Sequence, residues 1–226
     1  MYSVIIPTLL KSDKLEILLN IFERSDKVKE IILINNALKS VKDKYNISKL
    51  HEVIPAQNLF VNPSWNLGVS LASEENLIIA NDDIIIEDSL IDYISTIDLK
   101  KIGIIGPSKE SLQKSDLKKR LSMCYLMDIG FGTLMFMAKK NYHTIPENIK
   151  IWSGDNYLFS QQNNRNYVVS GFFIDTEMHT TSSSKEFDVI KQQDWANFGK
   201  VAGRYKYYKK YKYEYHIKKI INIFFK

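Results

Sequence analysis

Two adjacent carboxylates close an apolar run in this chain. Asn76-Leu77-Ile78-Ile79-Ala80 has the composition of a buried strand, and it breaks at Asn81-Asp82-Asp83 before three isoleucines resume. Buried carboxylates are tolerated where a cation meets them. An acid pair at a strand end can hold Mg2+ or Mn2+ through its oxygens, and the ion can then bridge to the phosphates of a ligand. The same acids could instead cap the helix that starts near Asp88, or simply lie in a loop.

The surrounding pattern shows what positions them. "YSVIIP" reads as a buried strand ended by Pro7, and "KEIILIN" as a second. Between them, Leu15, Leu18, Leu19 and Phe22 fall at helical spacing, with Asp13 and Glu16 as a capping box. "HEVIP" is a further strand candidate, "SWNLGVSLASEE" a short helix capped by Ser64, "DSLIDYISTI" a helix and "KIGIIG" a strand. Strands alternating with helices imply a mainly parallel sheet covered on both faces. After Gly106 the regularity fades. "SKESLQKSDLKKRLS" reads as a loop or exposed helix, "GTLMFMA" and "NYVVSGF" as strands, and "EFDVIKQQDWANFG" as a helix. Ligands of open parallel sheets sit beyond the carboxyl ends of the strands. Pro7-Thr8, Asn35-Asn36 and Asn81-Asp82-Asp83 all fall at such ends.

The 226 residues suffice for one domain with an appendage. A single cysteine, Cys124, excludes an internal disulfide and fits a reducing compartment. The N-terminal segment has neither the basic region nor the cleavage site of a signal peptide. No run approaches the roughly 18 apolar residues of a membrane span. The expected location is the cytoplasm, in solution or peripherally on the inner face of the membrane.

The net charge of +5 is unevenly placed. Residues 203–226 hold eight Lys or Arg against Glu214 alone, which leaves the body close to neutral. In this tail, tyrosines and isoleucines recur every three or four residues beside lysines. A basic amphipathic helix of that kind suits a membrane surface. It could equally pack on its own domain or on a second subunit. Nothing in the body supports nucleic-acid binding.

Taken together, the segments resemble the GT-A glycosyltransferases, in particular those of family 2, over roughly residues 2–200. "YSVIIPTLL" stands for the opening strand, "EIILINNAL" for the second, Asn66-Leu67-Gly68 for the segment ahead of the metal strand, and "NDD" for the DxD-type motif. The resemblance implies a metal-dependent, inverting transferase that moves a sugar from a nucleotide diphosphate, UDP favoured, to a hydroxyl of a glycan or lipid-linked saccharide. It divides residues 1–202 into a nucleotide-binding half, 1–106, and an acceptor half, 107–202. Asp83 matches the acid that holds Mn2+ or Mg2+, and Asp82 the one that contacts the donor ribose or sugar. Asn81 replaces an acid, and Asn35 stands where an Asp often reads the base. Pro7, Thr8 and Asn66 complete the donor site. Asp155 matches the catalytic base, and His179 a late metal ligand, with Ser182, Ser183 and Lys185 near the diphosphate. Polymerising relatives carry a "QxxRW" motif and membrane spans. "QQDW" lacks the Arg, which implies single addition. A nucleotidyltransferase is a rival, although "TLLKSDK" lacks the glycine-rich loop it would carry. A non-catalytic adaptor is another, and it would accommodate Asn35 and Asn81.

Overall fold

The computed structural model describes residues 1–41, 44–112, 118–176, 187–201 and 206–224. Three strands form from the apolar runs: β1 (Tyr2–Thr8), β2 (Val28–Asn35) and β4 (Asn76–Ala80), with the short β3 (Leu50–Val53) between the latter two in sequence. Their side chains alternate between two cores. Val4, Ile6, Ile31, Leu33 and Ile78 face one, while Ile5, Ile32, Ile34, Leu77 and Ile79 face the other. A strand buried on both sides reads as unbroken hydrophobicity because its period-two alternation has no polar side.

Later strands are β6 (Ile105–Pro107), β7 (Arg120–Cys124), β8 (Leu134–Ala138) and β9 (Asn166–Ser170). They complete an eight-stranded sheet in the order β3-β2-β1-β4-β8-β6-β9-β7. Strands β8 and β7 run against the other six, so the sheet is mainly parallel, as expected. Helices α1 (Lys14–Arg24) and α3 (Asp88–Ser95) fill the first core. Helices α2 (Val61–Leu71), α4 (Gly154–Gln161), α5 (Asp188–Val201) and α6 (Lys206–Phe224) contribute to the second. No helix among the described residues is long and apolar enough to cross a membrane.

Several local expectations change. Pro7 does not end β1, which continues to Thr8. Pairing with β4 stops at Ile5, so on that side the missing Pro7 N–H has no ladder bond to forfeit. Asp13 makes no side-chain cap on α1; the Ser12 hydroxyl accepts from the Lys14 N–H instead. Helix α2 starts at Val61, so Ser64 lies inside it, its hydroxyl donating to the Phe60 carbonyl. The isoleucines after the acid pair form β5 (Ile84–Ile86), which pairs with β10 (Ile174–Thr176) in a separate antiparallel ribbon. Arg120–Ser122, the end of a stretch read as loop or exposed helix, belong to the edge strand β7.

The tail is helical and one side of it packs on the domain. Tyr207 and Tyr211 are buried, and the Tyr207 ring meets Phe159 of α4 at 4.8 Å.

Candidate active site

A cavity of about 340 Å³ opens where β1 and β4 end. One wall is polar: Thr8 from β1, and Asn81, Asp82 and Asp83 after β4. The Thr8 hydroxyl donates to Asp82 Oδ2 at 2.5 Å and accepts from the Leu10 N–H at 2.8 Å, tying the two strand ends together. The Asn81 N–H donates to the Thr133 carbonyl at 2.9 Å, which sets the position of the acid pair against the turn before β8. Burial pushes the Asp82 carboxyl up to about 6; the Thr8 hydrogen bond opposes this, and the neighbouring Asp83 charge adds to it. Two adjacent, desolvated carboxylates form a donor set that a divalent cation would stabilise. Among the described residues no group of three or more His, Cys, Asp or Glu is gathered.

A further part of the lining comes from the segment that leads into α4. Asp155, in the first turn of that helix, faces the cavity, and its Oδ1 accepts from the Asn156 N–H at 2.8 Å and Asn156 Nδ2 at 3.1 Å. Burial raises its carboxyl above the ordinary range, with those two hydrogen bonds opposing. A carboxyl of raised pKa is, once ionised, a better proton acceptor than an ordinary surface Asp, because its basicity is higher.

That part of the lining is held by residues the sequence did not single out. Asp194 of α5 is buried, 1% exposed, and its carboxylate accepts from the N–H groups of Lys150, Ile151 and Trp152 at 2.8, 2.8 and 2.9 Å. From the other side Asn62 of α2 takes the carbonyls. Its N–H donates to Lys150 O, and its Nδ2 to Ile149 O and Trp152 O. The segment 149–152 is thus gripped through both its donors and its acceptors. A side chain at Gly154 would collide with Asn62, so only glycine permits this approach.

Strain and unused polar atoms gather here too. Phe60 (φ 65°) and Ser153 (φ 64°) are non-glycine residues in the left-handed region, and both line the cavity. Such conformations cost about 1–3 kcal/mol each and concentrate at functional sites. Trp65 Nε1 and Ser153 Oγ are buried without a hydrogen-bond partner among the described residues, and both residues line the cavity. Trp152 and Trp195 line it as well, so all three tryptophans of the chain stand around one space.

Of the residues singled out in the sequence, Pro7, Thr8, Asn81, Asp82, Asp83 and Asp155 meet at this cavity. Two others do not. Asn35 is fully buried, donating to Lys39 O and Glu52 Oε1 and accepting from the Ala37 N–H, so it organises the turn after β2. Its neighbour Asn36 lines the cavity instead. Asn66 is likewise committed elsewhere: it donates to Ile145 O and accepts from Tyr142 OH and the Ile145 N–H. Its amide joins α2 to the 142–145 segment. His179, Ser182, Ser183 and Lys185 lie outside the described residues.

No protein-family model and no curated protein matches the sequence. Solved structures do match. S. aureus TarS 1–349 superposes with a TM-score of 0.57 at 16% identity, covering 76% of this chain and 59% of that one. The same fragment in complex with UDP-GlcNAc gives 0.56 at 17%, covering 76% and 57%. GalNAc-T7 with UDP, GalNAc and Mn2+ gives 0.58 at 14%, covering 78% and 43%. The chain thus spans about three fifths of the TarS fragment and less than half of GalNAc-T7. At such low identity the likeness lies in the arrangement of strands and helices, and by that arrangement the chain has the GT-A glycosyltransferase fold.

Proposed function

We propose that this chain is a metal-dependent, inverting glycosyltransferase that moves one sugar at a time from a nucleotide diphosphate to a hydroxyl of a glycan or lipid-linked saccharide. The observation that carries the proposal is the cavity itself. Its lining brings together an acid pair and a buried Asp155 of raised pKa, at the ends of parallel strands where this fold admits ligands. UDP is the favoured nucleotide, since the fold's matched structures include complexes with UDP and UDP-GlcNAc. Residues 1–106 would bind the nucleotide and residues 107–202 the acceptor.

Asp83, with Asp82 beside it, would hold Mn2+ or Mg2+, and the ion would supply countercharge to the diphosphate. Thr8 keeps Asp82 in place, and Pro7, Asn36 and Asn81 line the donor side. Asp155 takes the proton from the acceptor hydroxyl as that oxygen forms its bond to the anomeric carbon. The bond from the anomeric carbon to the diphosphate oxygen breaks, the nucleotide leaves with the electron pair, and the configuration inverts. Trp152, Trp195 and Phe187 form the apolar part of the wall, suited to the C–H face of a saccharide ring. The enzyme would work in the cytoplasm, at the inner membrane face where the acceptor is lipid-linked.

A thermal-shift screen of nucleotide sugars with and without Mn2+ tests this reading. Stabilisation by a UDP-sugar that grows with Mn2+, together with slow metal-dependent hydrolysis of that donor, is the expected result. Binding with no hydrolysis and no transfer would favour a non-catalytic adaptor, and no shift with any nucleotide sugar would end the proposal.

A further inference from the structure

Helix α6 has two apolar faces, and the domain uses one. Towards the domain, the Tyr207 hydroxyl accepts from the Asn166 N–H at 2.6 Å and the Tyr211 hydroxyl donates to Asn163 O at 2.9 Å. Arg165 forms a two-point pair with Glu214, Nε to Oε2 at 3.0 Å and Nη2 to Oε1 at 2.7 Å. Tyr215 meets Tyr125 edge-on at 5.9 Å. On the other side Tyr213, Ile217 and Ile220 are 81%, 57% and 54% exposed. Spacings of four and three residues set them on one stripe. Lys209, Lys212 and Lys219 are exposed on the adjoining arc of the helix.

The charge on this face is of one sign. Glu214 is the sole acid of residues 203–226, and Arg165 engages it on the domain side. Exposed isoleucines and a tyrosine flanked by lysines form a surface that inserts shallowly while the ammonium groups reach outward along their stems.

We propose that the Tyr213–Ile217–Ile220 face of α6 docks on an anionic lipid surface, with Lys209, Lys212 and Lys219 meeting the lipid phosphates. The lysines select this occupant. A second copy bound through the same stripe would bring lysines against lysines, whereas acidic headgroups complement them. Each lysine near such a surface contributes about fivefold to binding at low salt. This inference deepens the reading of a lipid-linked acceptor, but it rests on α6 and not on the cavity.

The test is co-sedimentation of the full chain with vesicles of phosphatidylglycerol and phosphatidylcholine, compared with phosphatidylcholine alone. The expected result is binding to the anionic vesicles, lost on raising the salt. Binding should fall about tenfold or more in the triple variant Tyr213→Ser, Ile217→Ser, Ile220→Ser, and likewise in Lys209→Glu, Lys212→Glu, Lys219→Glu. All six positions are exposed, so both variants should keep the wild-type melting temperature. Equal binding by wild type and variants, or no binding by wild type, overturns the proposal. So does a dimer in gel filtration that the serine variant dissociates, because the face would then belong to a second copy. Nucleotide-sugar stabilisation measured on the same proteins reads the cavity separately, so either idea can fail without the other.

Discussion

Gly132 lies against the side chain of Asp155: a Cβ placed on it would come within 2.6 Å of Asp155 Oδ2 and 2.7 Å of Asp155 Cβ. The short turn before β8 therefore sets where the candidate base can stand. Gly132→Ala should push that carboxylate aside, and the Asn81 N–H bond to the neighbouring Thr133 carbonyl makes the acid pair the second place to look for a change. A displacement near 1 Å can cost about a hundredfold in rate. The expected outcome is a kcat lower by about that factor, with donor affinity nearly unchanged. Steady-state kinetics against donor and acceptor would check it, and wild-type kcat would show that Asp155 does not work from this position.

Asp155→Asn removes the proposed proton acceptor and should lower kcat by about 10²–10⁴-fold. Its effect on stability runs the other way. Burial raises the Asp155 pKa in the folded protein above its unfolded value. Wild type therefore loses stability as pH rises through the folded pKa, and recovers it fully below the ordinary Asp value of about 3.9. At neutral pH the asparagine variant should melt at a higher temperature than wild type, and the gap should close on acidification. In wild type the same raised pKa should make turnover fall on acidification at a pH above the ordinary Asp range. Melting curves and kcat across pH measure both.

Asp194→Ala should be among the more damaging single changes in the chain. It leaves the N–H groups of Lys150, Ile151 and Trp152 without their acceptor, and destabilisation of about 3 kcal/mol or more is expected. Asp194→Asn keeps the shape but offers one acceptor oxygen, and it should fall between the two. Denaturant unfolding orders the three proteins. In the asparagine variant kcat should fall while nucleotide affinity holds, because the segment it grips leads to Asp155 and not to the acid pair.

Chelation with EDTA should abolish turnover and the Mn2+-dependent part of the nucleotide-sugar thermal shift, and added Mn2+ should restore both. Asp83→Asn should do the same without being rescued, lowering kcat by about 10²-fold or more. A variant that still shifts with Mn2+ and donor would place the metal elsewhere.

What could be read from the residues alone followed physical scale. The runs at Val4–Ile6, Ile31–Ile34 and Leu77–Ile79 announce strands because both of their faces are buried. The polar tips Thr8 and Asp82 could be read as site residues because they follow such runs directly, and they prove to be hydrogen-bonded to each other. Ile84–Ile86 was too short to separate from its neighbours, and its partner β10 lies about 90 residues away. Arg120–Cys124 is a short edge strand in which Arg120 is exposed and Leu121, Ser122 and Met123 are only partly buried, so it reads as a loop. Asn35 and Asn66 looked like ligand contacts because of their place in a motif, but their amides serve turns and helix packing. Asp194 looked like an ordinary helix acid, since the three amides it holds are more than 40 residues earlier. Pairings of that range leave no local pattern.

Trp65 of α2, Trp195 of α5 and Trp152 of the bend before α4 converge on the same space. Excited at the red edge of its absorption, the chain emits light from the walls of that cavity and from nowhere else. Any ligand that entered it would change the colour or brightness of that emission. The molecule would then carry its own optical gauge of occupancy, and no dye need be attached to read it.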